Sequence, residues 1–410
     1  MLELFKKAVQ RNEEMRKPLS SVPWTPDEPY PQPYYVFDSA KQDWEPVQAP
    51  TPPTTTTTAA AAEEEEDDNS NGPAITRLAL YSWNIDFMLP YARARMEAAL
   101  AHLESLVRPH FDPPSSSSPS PSPQTTGGVV IFLQECVESD LAAVGAAPWV
   151  RARFAVTDRS AAHWGSGHYG TTALVDRRLL LLPLASSPSC CFRVHYAQTR
   201  MERDALFVDV LVHSSRRSSE RDDDDDGALP PKRRRLVRLC NTHLESLAAE
   251  PPRRPAQMRL VAAYLRGERG PPGVDPASAP APHAGLAAGD FNAIQDFDRS
   301  LHSDNGLRDA YLELGGREDN DDDDDEGEVE GQGSYTWGQQ AATELRRAYG
   351  CSRMDKVFLC GAARARRFAR FGRDVQLADP AQRAELVALG FEKPWVTDHL
   401  GVVAEVEIVD

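Results

Sequence analysis

The chain has 410 residues, a formal net charge of −17 and six cysteines. This length allows one large α/β domain with insertions as well as two or three domains. No stretch reaches the ~18 uninterrupted apolar residues of a membrane span, so we expect no membrane association. The cysteines form no C-x-x-C pair and no regular framework, which argues against a zinc site or a disulfide scaffold and favours a reducing, intracellular compartment.

The negative charge is concentrated in three tracts, at residues 63–68, 222–226 and 319–330. Together they hold 20 acidic residues and no basic residue, so the rest of the chain carries a formal charge of +3. Such runs cannot bury apolar surface, and we predict that they are disordered. The folded part is therefore close to neutral, and its charge does not exclude a nucleic-acid partner.

Predicted elements follow one another in an order typical of an α/β domain. Residues 1–75 are rich in Pro and Thr and contain poly-Thr, poly-Ala and poly-Glu runs, which predicts a disordered low-complexity tail. Beyond this tail we predict strands at 78–85, 129–135, 150–157, 171–176, 205–212, 236–244, 354–360 and 400–409, and helices at 92–107, 253–266 and 381–389. Low-complexity segments fall between these elements, so residues 76–410 are predicted to form one domain with loop insertions.

Five predicted strand ends carry polar side chains in apolar surroundings. These are Asn84 in "SWNI", Glu135 in "LQE", Asn241 and His243 in "NTHLES", Asp290 and Asn292 in "GDFN", and Asp398 and His399 in "TDHLGV". Each has an ordinary structural explanation when taken alone, such as a turn cap, a helix N-terminal acid or a hydrogen-bonded core histidine. Their joint occurrence at strand ends, with Asp290 and Asn292 on one face, indicates an active site.

The series Asn84, Glu135, His243, Asp290-x-Asn292 and Asp398-His399 resembles the endonuclease/exonuclease/phosphatase superfamily of metal-dependent phosphodiesterases over residues 76–410. Within it, "SWNID", "LQEC", "NTHLES", "GDFN", "YTW", "RMDKVF" and "TDHLGV" are similar to the tyrosyl-DNA phosphodiesterase 2 branch. The chain departs from that branch at "FML" after "WNID", where a glycine is usual, and at Thr397, where a serine is usual.

The resemblance implies a four-layered α/β sandwich, in which two packed mixed β-sheets are flanked by helices. It also implies hydrolysis of the 5′-phosphotyrosyl bond between DNA and a stalled topoisomerase, and hence a role in DNA repair. The implied partner is DNA with a 5′-tyrosyl or protein adduct, and we expect a monomer.

The residue types fit the same chemistry, because phosphodiester hydrolysis needs charge neutralisation at the phosphate, an activated water and help for the leaving group. Glu135 offers Mg²⁺ a hard carboxylate oxygen, and Asn84 adds a neutral oxygen or holds a metal-bound water. Mn²⁺ is an alternative cation. Asp290 is predicted to orient and deprotonate the attacking water, with Asn292 steering that water or a phosphate oxygen.

Three further residues are assigned to the phosphate and its surroundings. His399 is predicted to be the cationic group that stabilises the developing charge, with the adjacent Asp398 fixing its tautomer and raising its basicity. His243 is predicted to make a second phosphate contact. Asp355, in "RMDKVF", is predicted to orient a catalytic histidine or a water.

Candidate substrate contacts carry alternatives. Tyr335 and Trp337 in "SYTW" would stack on a base, or form a core aromatic pair. Arg203 would bind a phosphate, or lie on a solvated surface. Tyr169, in the Gly-rich turn "HWGSGHYG", would contact the leaving tyrosyl group.

Two other functions stay open. One is another phosphodiesterase of the superfamily, acting as an abasic-site endonuclease, a deadenylase or a lipid phosphatase, since one scaffold serves many substrates. The other is a catalytically dead binding module. The basic stretch "PPKRRRL" at 230–236 predicts a nuclear location, with the cytoplasm as a second compartment; its alternative explanation is a charge cluster that guards a hydrophobic strand.

Overall fold

The structure is a computed structural model that describes residues 23–47, 75–112, 127–180, 191–213, 234–248, 250–277, 281–318 and 334–410. In chain order, the strands of these ranges are β1 Pro29–Pro31, β2 Tyr34–Asp38, β3 Asp43–Val47, β4 Arg77–Asn84, β5 Gly128–Cys136, β6 Phe154–Val156, β7 Gly170–Asp176, β8 Cys191–His195, β9 Asp204–His213, β10 Arg234–His243, β11 Ala284–Asp290, β12 Arg308–Asp309, β13 Asp355–Gly361, β14 Ala363–Phe371 and β15 Gly401–Ile408. The α-helices are α1 Ala92–Phe111, α2 Glu138–Ala146, α3 Pro148–Arg153, α4 Arg254–Leu265, α5 Ala310–Glu313, α6 Thr343–Tyr349 and α7 Pro380–Ala388.

The strands form two mixed sheets. The first has the strand order β1-β8-β9-β10-β11-β13-β12, and the second has the order β14-β15-β4-β5-β7-β6-β2-β3. Neighbouring strands run antiparallel except for the pairs β10–β11 and β4–β5, which run parallel. Each parallel pair brings two carboxyl ends to the same sheet edge, which is where α/β folds commonly place ligands.

Three apolar layers hold this arrangement together, because alternate residues of each strand face opposite sides of its sheet. Leu80 and Phe132 of one sheet meet Leu239 and Leu286 of the other in the central layer. Side chains of α1 and α2 pack on the outer face of the second sheet, and those of α4 pack on the outer face of the first. The predicted four-layered sandwich of two mixed sheets is confirmed.

Most predicted elements from residue 76 onward agree with the structure to within a few residues. One segment differs, because the first part of the predicted strand at 150–157 belongs to the short helix α3 and only Phe154–Val156 is strand. Pro148 at the first turn of α3 supports that helix start, since proline needs no hydrogen-bond partner there. None of the helices in the described ranges is long and apolar enough to cross a membrane.

The predicted disordered tail over 1–75 is wrong for residues 29–47, which fold as β1, β2 and β3. Strand β1 pairs with β8 in the first sheet, and β2 pairs with β6 in the second. These short strands gain their hydrogen bonds from distant partners, so composition did not reveal them. Residues 1–22 and 48–74 lie outside the described residues, as do the acidic tracts at 63–68, 222–226 and 319–330.

Candidate active site

Asp290, the last residue of β11, is the centre of the site and is 2% exposed. Its Oδ2 accepts a hydrogen bond from Asn84 Nδ2 at 3.0 Å and lies 3.3 Å from His243 Nε2. Its Oδ1 accepts the backbone N–H of Asn292 at 2.8 Å. Burial opposes ionisation of Asp290, but His243 and His399 outweigh it and hold the pKa of the carboxyl well below its ordinary value. Asp290 is therefore a carboxylate throughout the physiological range.

His243, at the end of β10, is bonded to protein groups on both ring nitrogens. Arg203 Nη1 lies 2.7 Å from Nδ1, and because a guanidinium only donates, Nδ1 must accept. The proton is then on Nε2 and points at Asp290. Burial and the Arg203 charge lower the pKa of His243, which keeps the imidazole neutral. His243 was predicted to contact the phosphate, but in this structure its hydrogen bonds are directed to Arg203 and Asp290.

His399 lies in the turn before β15 and faces Asp290 from the other side. Its Nδ1 is 2.8 Å from Asp355 Oδ2, and its Nε2 is 3.7 Å from Asp290 Oδ2. Burial disfavours the imidazolium, but Asp355, Asp398 and Asp290 raise the pKa of His399 well above its ordinary value. Burial also raises the pKa of Asp355 to about 6, although His399 counteracts it. The pair is a buried ion pair with its positive end toward Asp290.

Asp398 does not have the predicted task of fixing the His399 tautomer. Its Oδ2 accepts the indole N–H of Trp337 at 2.7 Å, and its Oδ1 is 3.8 Å from His399 Nε2. Asp355 bonds Nδ1 of His399 instead, which agrees with the prediction that Asp355 orients a catalytic histidine. Asp398 Oδ2 is bonded to the Trp337 indole, and Asp398 acts on His399 by its charge, which helps to raise the pKa of the imidazole.

Glu135 and Asn84 lie at the carboxyl ends of the parallel strands β5 and β4. Both side chains accept hydrogen bonds from the backbone at residues 86–87, just after β4. Glu135 Oε2 accepts the N–H of Phe87 at 3.2 Å, and Asn84 Oδ1 accepts the N–H of Asp86 at 2.9 Å. Glu135 Oε1 lies 3.7 Å from Arg203 Nη2. Burial, and then the charges of Asp398 and Glu135, raise the pKa of Asp86 to about 8. Burial and the neighbouring carboxyl groups thus both disfavour the ionised form of Asp86.

A divalent cation fits the Glu135 side of the site. The donors there are hard oxygens, which Mg²⁺ prefers, and a bound cation would offset the burial and the like charges that together raise the pKa of Asp86. The Asn84 carbonyl keeps a second lone pair beyond its bond to Asp86. Glu135, Asn84 and Asp86 are thus the residues that would hold the ion.

A second group with metal-ligand chemistry consists of Asp290, Asp355 and His399, whose donor atoms lie within 4.8 Å of one another. The imidazole of His399 has no lone pair to offer when both nitrogens carry protons, as its raised pKa favours. We therefore interpret this cluster as an acid–base group rather than as a metal site.

Asn292 follows Asp290 in a left-handed conformation with φ of 47°. This turn brings its backbone N–H to Asp290, and its side-chain Nδ2 donates to the Leu244 carbonyl at 3.1 Å. Asn292 thus ties the ends of β10 and β11 together. Its predicted contact with the water or the phosphate stays a prediction.

The predicted substrate residues surround this centre. Arg203 is 5% exposed and bonded to His243, so it is not on a solvated surface. Tyr169 donates its hydroxyl to the Met201 carbonyl at 2.7 Å, and its ring stacks on Phe87 with centroids 4.1 Å apart. Trp337 bonds Asp398, and the carbonyl of Tyr335 accepts from Arg370 Nη1 at 2.7 Å. Trp337 and Tyr169 therefore already have partners within the protein.

Sequence reasoning missed several residues that build the site. Asp86 was within reach, because it follows Asn84 by two residues and shares its strand-end position. Thr336 gave no signal, although its Oγ1 accepts the backbone N–H groups of Met354 and Asp355 at 3.0 and 2.9 Å. Arg95 and Thr397 were also missed, since their partners lie on other segments.

The fold and the strand-end site define a class of protein. The sequence profile described as "Endonuclease/Exonuclease/phosphatase family" matches residues 81–399, and the chain belongs to this family. Members of this family are generally hydrolases that act on phosphoester bonds and typically use a divalent metal. A comparison with curated proteins finds no match.

Solved structures with a similar fold include several called TDP2. A truncated TDP2 from Caenorhabditis elegans is 20% identical with a TM-score of 0.50, covering 81% of this chain and 97% of that chain. A humanized D. rerio TDP2 is 17% identical with a TM-score of 0.49, covering 81% and 99%. A Bacteroides vulgatus endonuclease/exonuclease/phosphatase is 12% identical with a TM-score of 0.46, covering 81% and 99%. At these identities the similarity concerns the fold.

Proposed function

We propose that the chain is a Mg²⁺-dependent phosphodiesterase that hydrolyses 5′-phosphotyrosyl bonds in DNA, and so acts in the repair of topoisomerase–DNA adducts. One observation carries the catalytic part of this proposal. Asp290 Oδ2 lies 3.7 Å from His399 Nε2 and accepts a hydrogen bond from Asn84 at 3.0 Å, and Asn84 together with Glu135 and Asp86 offers oxygen ligands that suit a divalent cation. Water activation and charge stabilisation can thus act on one phosphate from two sides.

Each side chain has a defined task in this reaction. Asp290 orients the attacking water and accepts its proton as the new P–O bond forms, while Asn84, His243 and Asn292 hold the carboxylate in place. His399 donates a charged hydrogen bond to the phosphate as negative charge develops. A cation held by Glu135, Asn84 and Asp86 would neutralise phosphate charge when bound.

The tyrosyl part of the proposal rests on the motif resemblance and on the leaving group. A tyrosyl phenolate has a pKa near 10, so it leaves with less protonation than a sugar alkoxide needs. Hydrolysis at a tyrosyl oxygen therefore depends less on a proton donor to the leaving group than hydrolysis at a sugar oxygen does.

A substrate panel tests the proposal. The full chain is incubated with a 5′-tyrosyl oligonucleotide, an abasic duplex, poly(A) and phosphoinositide vesicles, each with Mg²⁺, with Mn²⁺ and with a chelator. We expect a 5′-phosphate product from the tyrosyl oligonucleotide, and no product with the chelator. Asp290→Asn is the control that excludes a contaminating nuclease.

The other outcomes separate the alternatives. Preferred cleavage of the abasic duplex, poly(A) or the lipid would overturn the tyrosyl assignment and leave a phosphodiesterase of another specificity. No cleavage of any substrate, together with retained binding of the oligonucleotide, would support a binding module.

A nuclear location and a monomeric state are parts of the same proposal. In the stretch "PPKRRRL", residues 230–233 lie outside the described residues, while Arg234 and Arg235 begin β10. Arg235 also pairs with the carboxylate of Asp410 at 3.1 Å. Imaging of the tagged chain with Lys232 and Arg233 changed to Ala tests the location, and light scattering tests the monomer.

A further inference from the structure

Arg95, in the first turn of α1, is fully buried and donates its hydrogen bonds to backbone carbonyls. Nε bonds the carbonyl of Pro90 at 2.9 Å, and Nη1 bonds the carbonyl of Val396 at 2.7 Å. Nη2 bonds the carbonyls of Asp86 at 2.7 Å and Leu89 at 3.0 Å. A further bond from Nη1 reaches the carbonyl of Ile85. One guanidinium thus organises five carbonyl groups.

These carbonyls belong to two segments of the active site. Residues 85–90 follow β4 and contain Asp86 and the Phe87 N–H that binds Glu135. Val396 precedes the Asp398–His399 pair on a segment some 300 residues further along the chain. Two further hydrogen bonds join the same two segments. Thr397 Oγ1 donates to the Asn84 carbonyl at 2.8 Å, and the Trp83 indole donates to the His399 carbonyl at 3.1 Å.

Only arginine can make this set of contacts. Its guanidinium presents five N–H donors in a fixed plane and has no acceptor, whereas a lysine ammonium has three donors on a flexible stem. The two segments also carry like charges, so the carboxylates of Asp86 and Asp398 repel each other. A buried cation directly behind both segments opposes that repulsion.

We propose that Arg95 is a positioning residue for the active site, which fixes the segment after β4 against the segment before β15 and so sets the place of Asp86 and Asp398 beside Glu135. The inference deepens the proposed function and rests on it for the reaction. Arg95 itself reaches neither the substrate nor a metal ion. Its effect passes through the backbone that carries those groups.

Arg95→Lys tests this role against a matched control, Arg238→Lys. Arg238 is also buried, but it lies in the middle of β10, where it pairs with Asp209 at 2.7 Å and bonds the Tyr264 carbonyl at 3.1 Å. For both variants we measure Mg²⁺ affinity by titration calorimetry without substrate, kcat and KM on the 5′-tyrosyl oligonucleotide, and thermal stability. Residues that orient metal ligands typically change affinity or activity about 10–100-fold.

We expect Arg95→Lys to weaken Mg²⁺ binding and lower kcat by about 10-fold or more, with little change in KM. Arg238→Lys should lower thermal stability and leave Mg²⁺ affinity and kcat unchanged. Mg²⁺ affinity and kcat within about two-fold of the wild type in Arg95→Lys would overturn the inference, as would equal losses in Arg238→Lys. If Arg95→Lys does not fold, Thr397→Val removes a second bond across the same gap. Unchanged Mg²⁺ affinity in Thr397→Val would then overturn it.

This test is separate from the test of the proposed function. A wild type that binds Mg²⁺ but cleaves no tyrosyl oligonucleotide would refute the proposed substrate, while a weaker Mg²⁺ affinity of Arg95→Lys would still support the positioning role. A wild type that binds no divalent cation would overturn the positioning role, because no metal-side geometry would then depend on it.

Discussion

At the scale of single residues, the site separates two carboxylates by their surroundings. Asp290 receives three hydrogen-bond donors, which help to hold its pKa low, whereas burial and then the charges of Asp398 and Glu135 raise the pKa of Asp86 to about 8. Hydrogen bonds to the charged form lower a pKa, and like charges raise it. The two sides therefore differ, because Asp290 stays an ionised hydrogen-bond acceptor that can orient a water, while the oxygen ligands near Glu135 suit a bound cation.

This division predicts different responses of two variants to Mg²⁺. Glu135→Gln should weaken apparent Mg²⁺ affinity and recover in part at higher Mg²⁺, because the carboxamide still offers a neutral oxygen. Asp290→Asn should lose ~10²–10⁴-fold in turnover without recovery, because added metal does not replace a base. Turnover measured against Mg²⁺ concentration decides between them. Recovery of Asp290→Asn alone would mean that the two roles are reversed.

The His399–Asp355 pair predicts a change in pH dependence. Asp355 is the largest of the charges that raise the pKa of His399, so Asp355→Asn should lower that pKa. The imidazolium would then be lost at lower pH, and the alkaline limb of kcat/KM should move toward acid pH. Asp398→Asn is the matched control, with a smaller shift expected. Profiles of kcat/KM from about pH 6 to 9 measure both, and an unmoved limb in Asp355→Asn would contradict the role.

At the scale of elements, the strands β1, β2 and β3 are part of the sandwich although they precede the rest of it in the chain. They extend one edge of each sheet. Trp44 of β3 is 8% exposed and donates its indole N–H to the Gly145 carbonyl in α2 at 3.1 Å. The contact attaches the edge of the second sheet to the helical layer outside it.

Removal of this contact should destabilise the whole domain. Trp44→Ala is expected to lower the free energy of unfolding by ~3–5 kcal/mol, as for other buried tryptophans. Tyr349→Ala is the control, because Tyr349 is 72% exposed and its loss should cost little. Chemical denaturation of both variants measures the difference. Equal free energies for Trp44→Ala and the wild type would mean that β3 is not docked in solution.

At the scale of the whole molecule, the described residues that flank the acidic tracts at 222–226 and 319–330 lie at opposite ends of the first sheet. The tract at 319–330 follows Glu318, which pairs with Lys356 at 3.1 Å, beside Asp355. The described residues nearest the tract at 222–226 are His213 and Arg234, which pair at the end of β9 and β10 opposite His243. The ten residues of β10, at ~3.3 Å each, separate Arg234 from His243 by about 30 Å. This distance is several Debye lengths at physiological salt.

Neutralising the tract at 319–330 should therefore raise the rate of DNA association more than neutralising the tract at 222–226 does. With its nine acidic residues changed to Ser, association with a single-stranded 5′-tyrosyl oligonucleotide should be faster at low salt, because less negative charge repels the strand. The difference should vanish near 1 M salt, where the Debye length is ~3 Å. Stopped-flow association rates measure this. The same change at 222–226 is the control, and an equal gain per charge there would show that position does not matter.

The strand-end chemistry, the family and most of the elements from residue 76 onward were determined by the sequence itself. Alternating and continuous apolar runs mark the strands locally, and polar groups that end buried strands stand out against them. Each parallel pair brings its two carboxyl ends to one sheet edge, Asn84 and Glu135 in the second sheet and His243 and Asp290 in the first, so each of these two pairs was predictable.

Only the tertiary structure decided how the edges of the two sheets face each other and which side chains pair there, such as Asn84 with Asp290. Asp398 is the sequence neighbour of His399, yet Asp355 holds its imidazole, and Arg95 bonds a carbonyl about 300 residues away. Strands β1–β3 likewise depend on partners elsewhere in the chain rather than on a local pattern. Side-chain directions and contacts between distant segments are set when the sheets and helices pack. Local sequence patterns and propensities do not determine that geometry.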